Sequence, residues 1–258
     1  MKLETDSAMR FSDRVQNYVR YRPGYPSEAL SFILENTAVK AGERVIDLGA
    51  GTGILSQLML DRGLHVTGVE PNDAMREASV HQLGSVPGFR SVAGWSHATG
   101  LDGNCAELIT AAQAFHWFDL AKTREECERL LKPGRAMAVL FNERLTDVSP
   151  FLIGYEALLQ RFATDYNAIN HTKITDATYR VFFGNDQFLK SAFRNVQEFD
   201  YLGIEGRLLS SSYAPAPGHP DHESMIAALR ALFDQTQTNG TVRIEYQTLV
   251  YLGRFFNG

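Results

Sequence analysis

The sequence is poor in cysteine, with only Cys105 and Cys127 in 258 residues. Two cysteines are too few for a disulfide-rich fold, and they lack the CxxC spacing that is typical of zinc sites. We therefore expect two free thiols and no bound metal. The sequence also lacks an apolar run of about 18 residues, the length that a membrane helix needs, and an N-terminal secretory signal. These absences predict a soluble, cytoplasmic protein without a membrane partner.

Long runs of one charge are absent as well. The 25 basic and 30 acidic residues give a formal net charge of −5. Because binding to a phosphate backbone needs clustered Lys and Arg, we expect no nucleic-acid partner. Hydrophobic residues make up 44% of the chain and aromatic residues 11%, which is enough for a sizeable core and excludes an intrinsically disordered chain. The composition specifies no oligomeric state.

Strand-like and helix-like segments alternate over the first half of the chain. Short apolar or β-branched runs are separated by segments in which apolar residues recur at helical spacing. This alternation is typical of a parallel, doubly wound sheet, in which ligands bind at the carboxyl ends of the strands. The predicted strands are 44–49, 65–70, 89–94, 106–112 and 135–142.

The alternation ends after the fifth strand. Helical patterns rich in Phe and Tyr occupy 149–193, and we interpret this region as a cover over the cleft. Two further strands are predicted at 196–203 and 245–255, separated by a Ser/Pro/Gly/His-rich loop at 210–222 and an amphipathic helix at 224–237.

These patterns divide the chain into four parts. An N-terminal lid with the first helix is expected at 1–40, and a ligand-binding core at 41–145. A helical cover follows at 146–195, and residues 196–258 complete the sheet.

The glycine-rich segment Gly49–Gly53 follows a predicted strand and opens a predicted helix. Glycines permit positive φ and close approach of a ligand, and the helix start offers unpaired N–H groups. The GxGxG spacing differs from the GxGxxG of dinucleotide sites, which argues against a nicotinamide-dependent oxidoreductase. Glu70 ends the second strand, 17 residues after Gly53, where an acid can accept hydrogen bonds from both hydroxyls of a ribose. Together these features predict a site for an adenosine-containing ligand.

Four segments resemble successive motifs of the class I S-adenosylmethionine-dependent methyltransferases. They read VIDLGAGTGILS, VTGVEPNDAMR, AELITAAQAFHWFD and LLKPGRAMAVLFN, and the resemblance covers residues 43–142. NYVRYRPGYP, SSYAPAPG and EYQTLVYLGR resemble a group of small-molecule methyltransferases that includes the trans-aconitate type and is similar to methyltransferase type 11. The resemblance implies a Rossmann-like α/β fold with a mostly parallel seven-stranded sheet, an antiparallel C-terminal strand and a helical cover insertion. It also implies S-adenosylmethionine as cofactor and methyl transfer to a carboxylate or hydroxyl oxygen of a small-molecule acceptor.

The resemblance also implies roles for single residues in the glycine-rich loop and beside it. Gly49, Gly51 and Gly53 would lie under the methionine and ribose of the cofactor. Asp47 would orient the loop or contact the cofactor's ammonium group. Glu70 would bind the ribose hydroxyls.

The adenine end of the site departs from the family pattern. An acid usually follows the third strand there, but this sequence has His97. The adenine contact would then fall to Ser96, to the backbone or to a neutral ring nitrogen of His97. Met75 would pack on the adenine or would be an ordinary core residue, and Gln113 would face the cofactor from the end of the fourth strand.

Two further residues are candidates for the acceptor side. His116 would act as a general base, position an acidic substrate group, or only bind loop backbone. A carboxylate acceptor is already ionised and needs no base. Arg22 lies in a segment rich in Tyr, Arg and Pro, which we predict to be a lid, and it would bind a carboxylate of cofactor or substrate or remain a solvated surface residue. An alternative function is a cofactor-binding interaction module without methyl transfer.

Overall fold

The computed structural model describes residues 15–164, 166, 174–184 and 186–255. Strands in this part of the chain form one seven-stranded sheet in the order β3-β2-β1-β4-β5-β7-β6. The strands are β1 (Arg44–Leu48), β2 (His65–Val69), β3 (Phe89–Val92), β4 (Ala106–Ala112), β5 (Leu131–Arg144), β6 (Leu189–Phe199) and β7 (Val242–Arg254). Only β7 runs antiparallel to its neighbours, β5 and β6. The predicted fold class is therefore confirmed.

Helices cover both faces of the sheet. In chain order they are α1 (Val15–Tyr21), α2 (Ser27–Thr37), α3 (Ile54–Leu60), α4 (Asp73–Leu83), α5 (Leu120–Leu130), α6 (Pro150–Phe162), α7 (Asp176–Phe183), α8 (Tyr201–Leu209) and α9 (His222–Thr236). A short 3-10 helix, Phe115–Trp117, follows β4. Successive strand residues point to opposite faces, so Ile46 and Leu48 join the core cluster that contains α5 and α7, whereas Val45 joins the cluster that contains α2 and α3.

A third core cluster lies beside the carboxyl ends of β5 and β6. It joins α6, α8 and α9 to the first half of β7, including Ile244 and Tyr246. Because β7 is antiparallel, its first residues lie at the end of the sheet where β5 finishes. We call α6, α8 and α9 the cover layer, since they extend the fold beyond the edge at which doubly wound sheets bind ligands.

Two predictions for the second half of the chain were wrong in their boundaries. The strand predicted at 196–203 is the end of β6, which begins at Leu189 within the region predicted as helical. Every second residue of β6 is exposed. The start of the strand could not be recognised from the sequence, because this polar alternation directly follows segments with helical spacing. The strand stops at Phe199 because the Asp200 side chain caps α8, where it accepts a hydrogen bond from the Gly203 N–H at 2.7 Å.

The aromatic region predicted as a single cover divides between two places. Helix α6 belongs to the cover layer, but α7 packs on a face of the sheet. Tyr179 of α7 stacks between the rings of Phe115 and Tyr251, with ring centroids 5.4 and 3.8 Å away. These aromatic residues are therefore core packing on a face of the sheet.

Two simpler expectations concern thiols and membrane spans. Cys105 and Cys127 are both free, as predicted. Among the residues that the structure describes, no helix is long and apolar enough to cross a membrane.

Candidate active site

The three glycines after β1 all have positive φ, but their surroundings differ. The φ angles of Gly49, Gly51 and Gly53 are 66°, 56° and 88°. A Cβ atom at Gly49 would lie 2.5 Å from the Cβ of Ala114, and one at Gly53 would lie 2.6 Å from Cδ1 of Leu83. At Gly51 a Cβ would meet nothing within 4 Å. The first and third glycines are thus required by packing, whereas the middle one faces open space.

Asp47 fixes the base of this loop. It is buried on β1, and its two carboxylate oxygens accept hydrogen bonds from the hydroxyls of Ser56 at 2.7 Å and Thr110 at 2.9 Å. These bonds tie β1 to α3 and β4 on either side of the loop. Burial raises the pKa of Asp47 to about 6, although both hydroxyl donors favour the ionised form. Neither Ser56 nor Thr110 was predicted from the sequence as a partner of Asp47, although each is a polar residue with apolar neighbours.

Glu70 lies directly after β2 and faces the same loop. Its Oε2 accepts the N–H of Gly51 and its Oε1 the N–H of Asn72, both at 2.9 Å. Burial raises the pKa of Glu70, and the two backbone donors oppose that rise. An ionised carboxylate has about four lone-pair positions. The protein uses two of them, so two remain, as many as the two hydroxyl donors of a diol would need.

The residues predicted to surround the adenine lie on two neighbouring elements. Met75 is buried in the first turn of α4. Ser96 forms a hydrogen bond with the Thr123 hydroxyl at 2.8 Å, which fastens the loop after β3 to α5. In the same loop the rings of Trp95 and His97 stack with centroids 6.4 Å apart. The adenine contacts of Met75, Ser96 and His97 stay predictions.

Gln113 turns the chain at the end of β4 and connects it to β5. Its φ of 56° is rare for a residue other than glycine. The backbone N–H donates to the Leu140 carbonyl at 2.9 Å, and Nε2 donates to the Asn142 carbonyl at 3.2 Å. Asn142 in turn donates to the Gly24 carbonyl at 3.0 Å and accepts from the Thr248 hydroxyl at 2.5 Å. The carboxyl ends of β4 and β5, the middle of β7 and the N-terminal segment therefore share one polar connection.

His116 lies in the 3-10 helix after β4, at the same edge as the glycine loop. Its ring is partly buried, with centroids 4.6 Å from the ring of Trp117 and 5.9 Å from that of Phe141. The neighbouring Phe115 is fully buried and anchors the turn in the core. The structure thus places His116 at the cleft, and its part in the chemistry stays a prediction.

The segment that follows α1 is held against the cover layer. Helix α1 packs on both α4 and α8. Arg22 donates to the Ser210 carbonyl at 3.0 Å, and the Tyr21 carbonyl accepts from Gln197 at 3.2 Å. The ring of Tyr21 packs so closely on Gly206 that a Cβ there would overlap it. Arg22 is therefore anchored by the end of α8, which excludes the solvated surface position. The remainder of the predicted lid, residues 1–14, lies outside the described residues.

A buried arginine on α8 has neutral partners. Arg207 is 6% exposed, and it donates to the hydroxyls of Tyr246 and Ser211 at 3.2 Å and of Ser210 at 3.4 Å. No carboxylate forms an ion pair with it in the described part of the chain. The sequence contains one indication that this arginine is buried: Arg207 directly precedes Leu208 on the apolar face of α8.

A second arginine, at the end of β5, lies beside a buried tyrosine of α6. Arg144 binds Glu156 at 2.5 Å and the Tyr166 hydroxyl at 2.9 Å through Nη2, and its guanidinium lies 5.1 Å from the ring centroid of Tyr155. The Nη1 atom of Arg144 and the hydroxyl of Tyr155 are both buried and have no hydrogen-bond partner among the described residues. Both guanidinium groups interact electrostatically with Tyr155. We call Arg144, Tyr155 and Arg207 the arginine–tyrosine cluster.

Comparison with known sequences connects the loop to one domain family. The family described as "Methyltransferase domain" matches residues 46–139. An uncharacterized methyltransferase of Mycobacterium bovis is 35% identical over 139 residues, which are 54% of this chain and 54% of that protein. A ubiquinone biosynthesis O-methyltransferase of Pseudomonas aeruginosa is 32% identical over 131 residues, 49% of this chain and 56% of its own. The chain thus matches about half the length of these curated relatives.

Comparison with solved structures extends over most of the chain. A candidate type II methyltransferase from Anaeromyxobacter dehalogenans superposes with a TM-score of 0.65 and 20% identity, covering 92% of this chain and 100% of its own. A candidate methyltransferase of antibiotic biosynthesis from Anabaena variabilis gives a TM-score of 0.59 and 18% identity, with coverages of 90% and 98%. At these identities the two structures show a shared fold.

Proposed function

We propose that the chain, whose residues 46–139 match the family described as "Methyltransferase domain", transfers a methyl group from S-adenosylmethionine to a carboxylate or hydroxyl oxygen of a small molecule. The observation that carries the proposal is the arrangement of Gly51 and Glu70. The middle glycine of the loop faces open space, and the acid beside it keeps acceptor positions for two hydroxyls.

The residues in and beside the loop would have different roles in cofactor binding. When bound, S-adenosylmethionine would supply a sulfonium methyl group, whose carbon–sulfur bond breaks as the acceptor oxygen bonds to the methyl carbon, so that S-adenosylhomocysteine leaves. Glu70 would hold the ribose through its remaining lone pairs. Asp47 would hold the loop in place from below and add a negative charge next to a cationic ligand. These residues position the cofactor and take no proton from the acceptor.

The choice of oxygen as the acceptor atom has two supports. A relative that matches about half of this chain is described as an O-methyltransferase. In addition, the buried Arg207 and the largely enclosed Arg144 are cations beside the edge of the sheet where the loop lies, an environment that favours an anionic acceptor. An ionised oxygen needs no general base, so orientation in a dry cleft would supply most of the acceleration. His116 would then position the acceptor rather than remove its proton.

A turnover assay tests this function. The protein is incubated with S-adenosylmethionine and a panel of hydroxy acids, dicarboxylic acids and neutral alcohols, and S-adenosylhomocysteine and methylated products are measured by mass spectrometry. We expect products with acids of the panel, and alkaline hydrolysis then distinguishes methyl esters from methyl ethers. Tight binding of S-adenosylhomocysteine without any turnover would favour the interaction module instead, and a methylated nitrogen or carbon would reject oxygen as the acceptor atom.

Removing the arginine of the N-terminal segment tests the lid. Arg22→Ala deletes the bond to the Ser210 carbonyl, so we expect the KM for cofactor or acceptor to rise about tenfold, the equivalent of about 1.4 kcal/mol. The control is Arg62→Ala, which deletes a similar bond to the Ser27 carbonyl at 3.2 Å, remote from the cleft. Equal KM values for both variants and the unmodified protein would contradict a lid role.

A further inference from the structure

We propose that the arginine–tyrosine cluster binds a carboxylate of the methyl acceptor, and that this carboxylate is a different group from the oxygen that receives the methyl. The inference rests on the proposed function, because it names the chemistry of the acceptor of that same reaction. It follows from three properties of the cluster: its charge, its unused donors and its position.

The charges in the cluster do not balance. Arg207 contributes a buried positive charge, Arg144 contributes a second on a side chain that is 11% exposed, and Glu156, which pairs with Arg144, contributes one negative charge. Burying an unpaired charge is costly, so one further negative charge would complete the site. A carboxylate supplies one charge, whereas a phosphate monoester supplies nearly two. The charge count therefore favours a carboxylate.

The unused donors show where that carboxylate would bind. The hydroxyl of Tyr155 and Nη1 of Arg144 are buried without a hydrogen-bond partner in the described residues, and a donor left unsatisfied in this way costs about 1–3 kcal/mol. Both donors belong to side chains in mutual contact, since the Arg144 guanidinium lies over the Tyr155 ring. An anion placed between them would accept from both.

The position of the cluster separates it from the reacting centre. Arg144 ends β5, and β5 is separated from β1, which precedes the glycine loop, by β4 alone. Two strand spacings correspond to about 10 Å across the sheet. A carboxylate held by the cluster would thus lie to one side of the loop, and a second oxygen of the acceptor, as in a dicarboxylic or hydroxy acid, would receive the methyl.

The cluster is also connected to the segment predicted to be the lid. Arg207 donates to the hydroxyl of Ser210, and Arg22 donates to the carbonyl of the same residue. An anion bound at Arg207 would thus reinforce the residue that holds the lid.

Anion binding can be measured without turnover. Acetate and succinate are added to the protein saturated with S-adenosylhomocysteine, and the unfolding temperature and calorimetric affinity are recorded, with acetamide and succinamide as neutral analogues. We expect saturable protection by succinate and none by succinamide at the same ionic strength. Inorganic phosphate is a parallel arm, and stronger protection by phosphate than by both carboxylates would overturn the choice of a carboxylate.

Tyr155→Phe removes one unused hydroxyl and keeps the ring. Because that hydroxyl has no partner among the described residues, the unfolding temperature should not fall, whereas the affinity for succinate should fall at least about tenfold, since hydrogen bonds to charged groups are stronger than those between neutral groups. Tyr179→Phe is the matched control, since its hydroxyl is equally buried and without a partner among described residues, but it belongs to the core cluster that contains α5 and α7. Equal succinate affinities in both variants would overturn the inference.

Arg207→Gln supplies a second, independent readout. It removes the charge and keeps donors for the neighbouring hydroxyls, so succinate protection should disappear while binding of S-adenosylhomocysteine persists. Retained protection in this variant contradicts the site.

If succinate binds through the cluster but no acid is ever methylated, the proposed function fails and the anion site stands. If acids are methylated with KM values that Tyr155→Phe leaves unchanged, the anion site fails and the proposed function stands.

Discussion

Gly51→Ala is expected to lower the affinity for S-adenosylhomocysteine by at least about 100-fold, which is about 2.7 kcal/mol. The φ of Gly51 is 56°, and a Cβ there would project into the open space over the loop rather than into the protein. The methyl group would therefore occupy ligand space while the fold bears only the cost of the left-handed conformation, about 1–2 kcal/mol. Calorimetric titration and urea unfolding measure the two effects separately.

Two other glycines serve as controls for this experiment. Gly134 has a φ of 74° and also open space, but it lies near the amino end of β5. Gly134→Ala should thus cost similar stability and leave the affinity unchanged. Gly49→Ala should destabilise the fold more than either, because its Cβ would lie 2.5 Å from that of Ala114. Unchanged affinity in Gly51→Ala would show that the cofactor binds elsewhere.

Cofactor affinity is expected to fall as the pH drops below about 6. The pKa of Asp47 in the folded protein is raised to about 6 by burial. A cationic ligand favours the ionised carboxylate and lowers that pKa in the complex, so binding must release a proton below pH 6. The Kd for S-adenosylmethionine should be constant between pH 6.5 and 8 and should approach a tenfold increase per pH unit below about 6. Calorimetry in buffers of different ionisation enthalpy would count the released proton.

Asp47→Asn and Glu70→Gln distinguish the two buried acids that face the loop. Burial raises the pKa of Glu70 too, and the charge of Asp47 adds to that rise. If Asp47 is responsible, Asp47→Asn abolishes the pH dependence and Glu70→Gln retains it at lower overall affinity. A pH dependence that survives Asp47→Asn assigns the proton to another group.

The same pKa predicts an effect on stability. A carboxyl whose pKa is higher folded than unfolded stabilises the fold below the unfolded value of 3.8 and loses that contribution as the pH rises through about 6. The difference corresponds to about 3 kcal/mol in unfolding free energy. Asp47→Asn should therefore recover part of this loss at neutral pH, as measured by urea unfolding.

The glycine loop could be predicted from the sequence because its signals are local. A strand, three glycines, a helix and an acid at the end of the next strand all lie within residues 44–70. The partners of Asp47 were less accessible. Ser56 lies nine residues away, but Thr110 is brought in by the register of β1 and β4, 63 residues along the chain. A pairing of that kind cannot be deduced from spacing.

The arginine–tyrosine cluster was missed for a related reason. Its members come from three elements, β5, α6 and α8, and no helix was predicted from the sequence where α8 carries Arg207. Tyr246, whose hydroxyl accepts a hydrogen bond from Arg207, lies 39 residues further along the chain, on β7. Only the antiparallel insertion of β7 between β5 and β6 brings these residues together.

That insertion also sets an order of assembly. Strand β7 follows β5 and β6 in the chain but lies between them, so neither can complete its ladder until β7 is present. The Gly24 carbonyl accepts hydrogen bonds from Asn142 and Asn195, 118 and 171 residues away, and both donors lie on strands that β7 joins. Contacts of such long sequence separation form late because loop closure must precede them. During synthesis, the N-terminal segment would therefore dock only after β7 has left the ribosome, and a nascent chain would keep its cleft open until then.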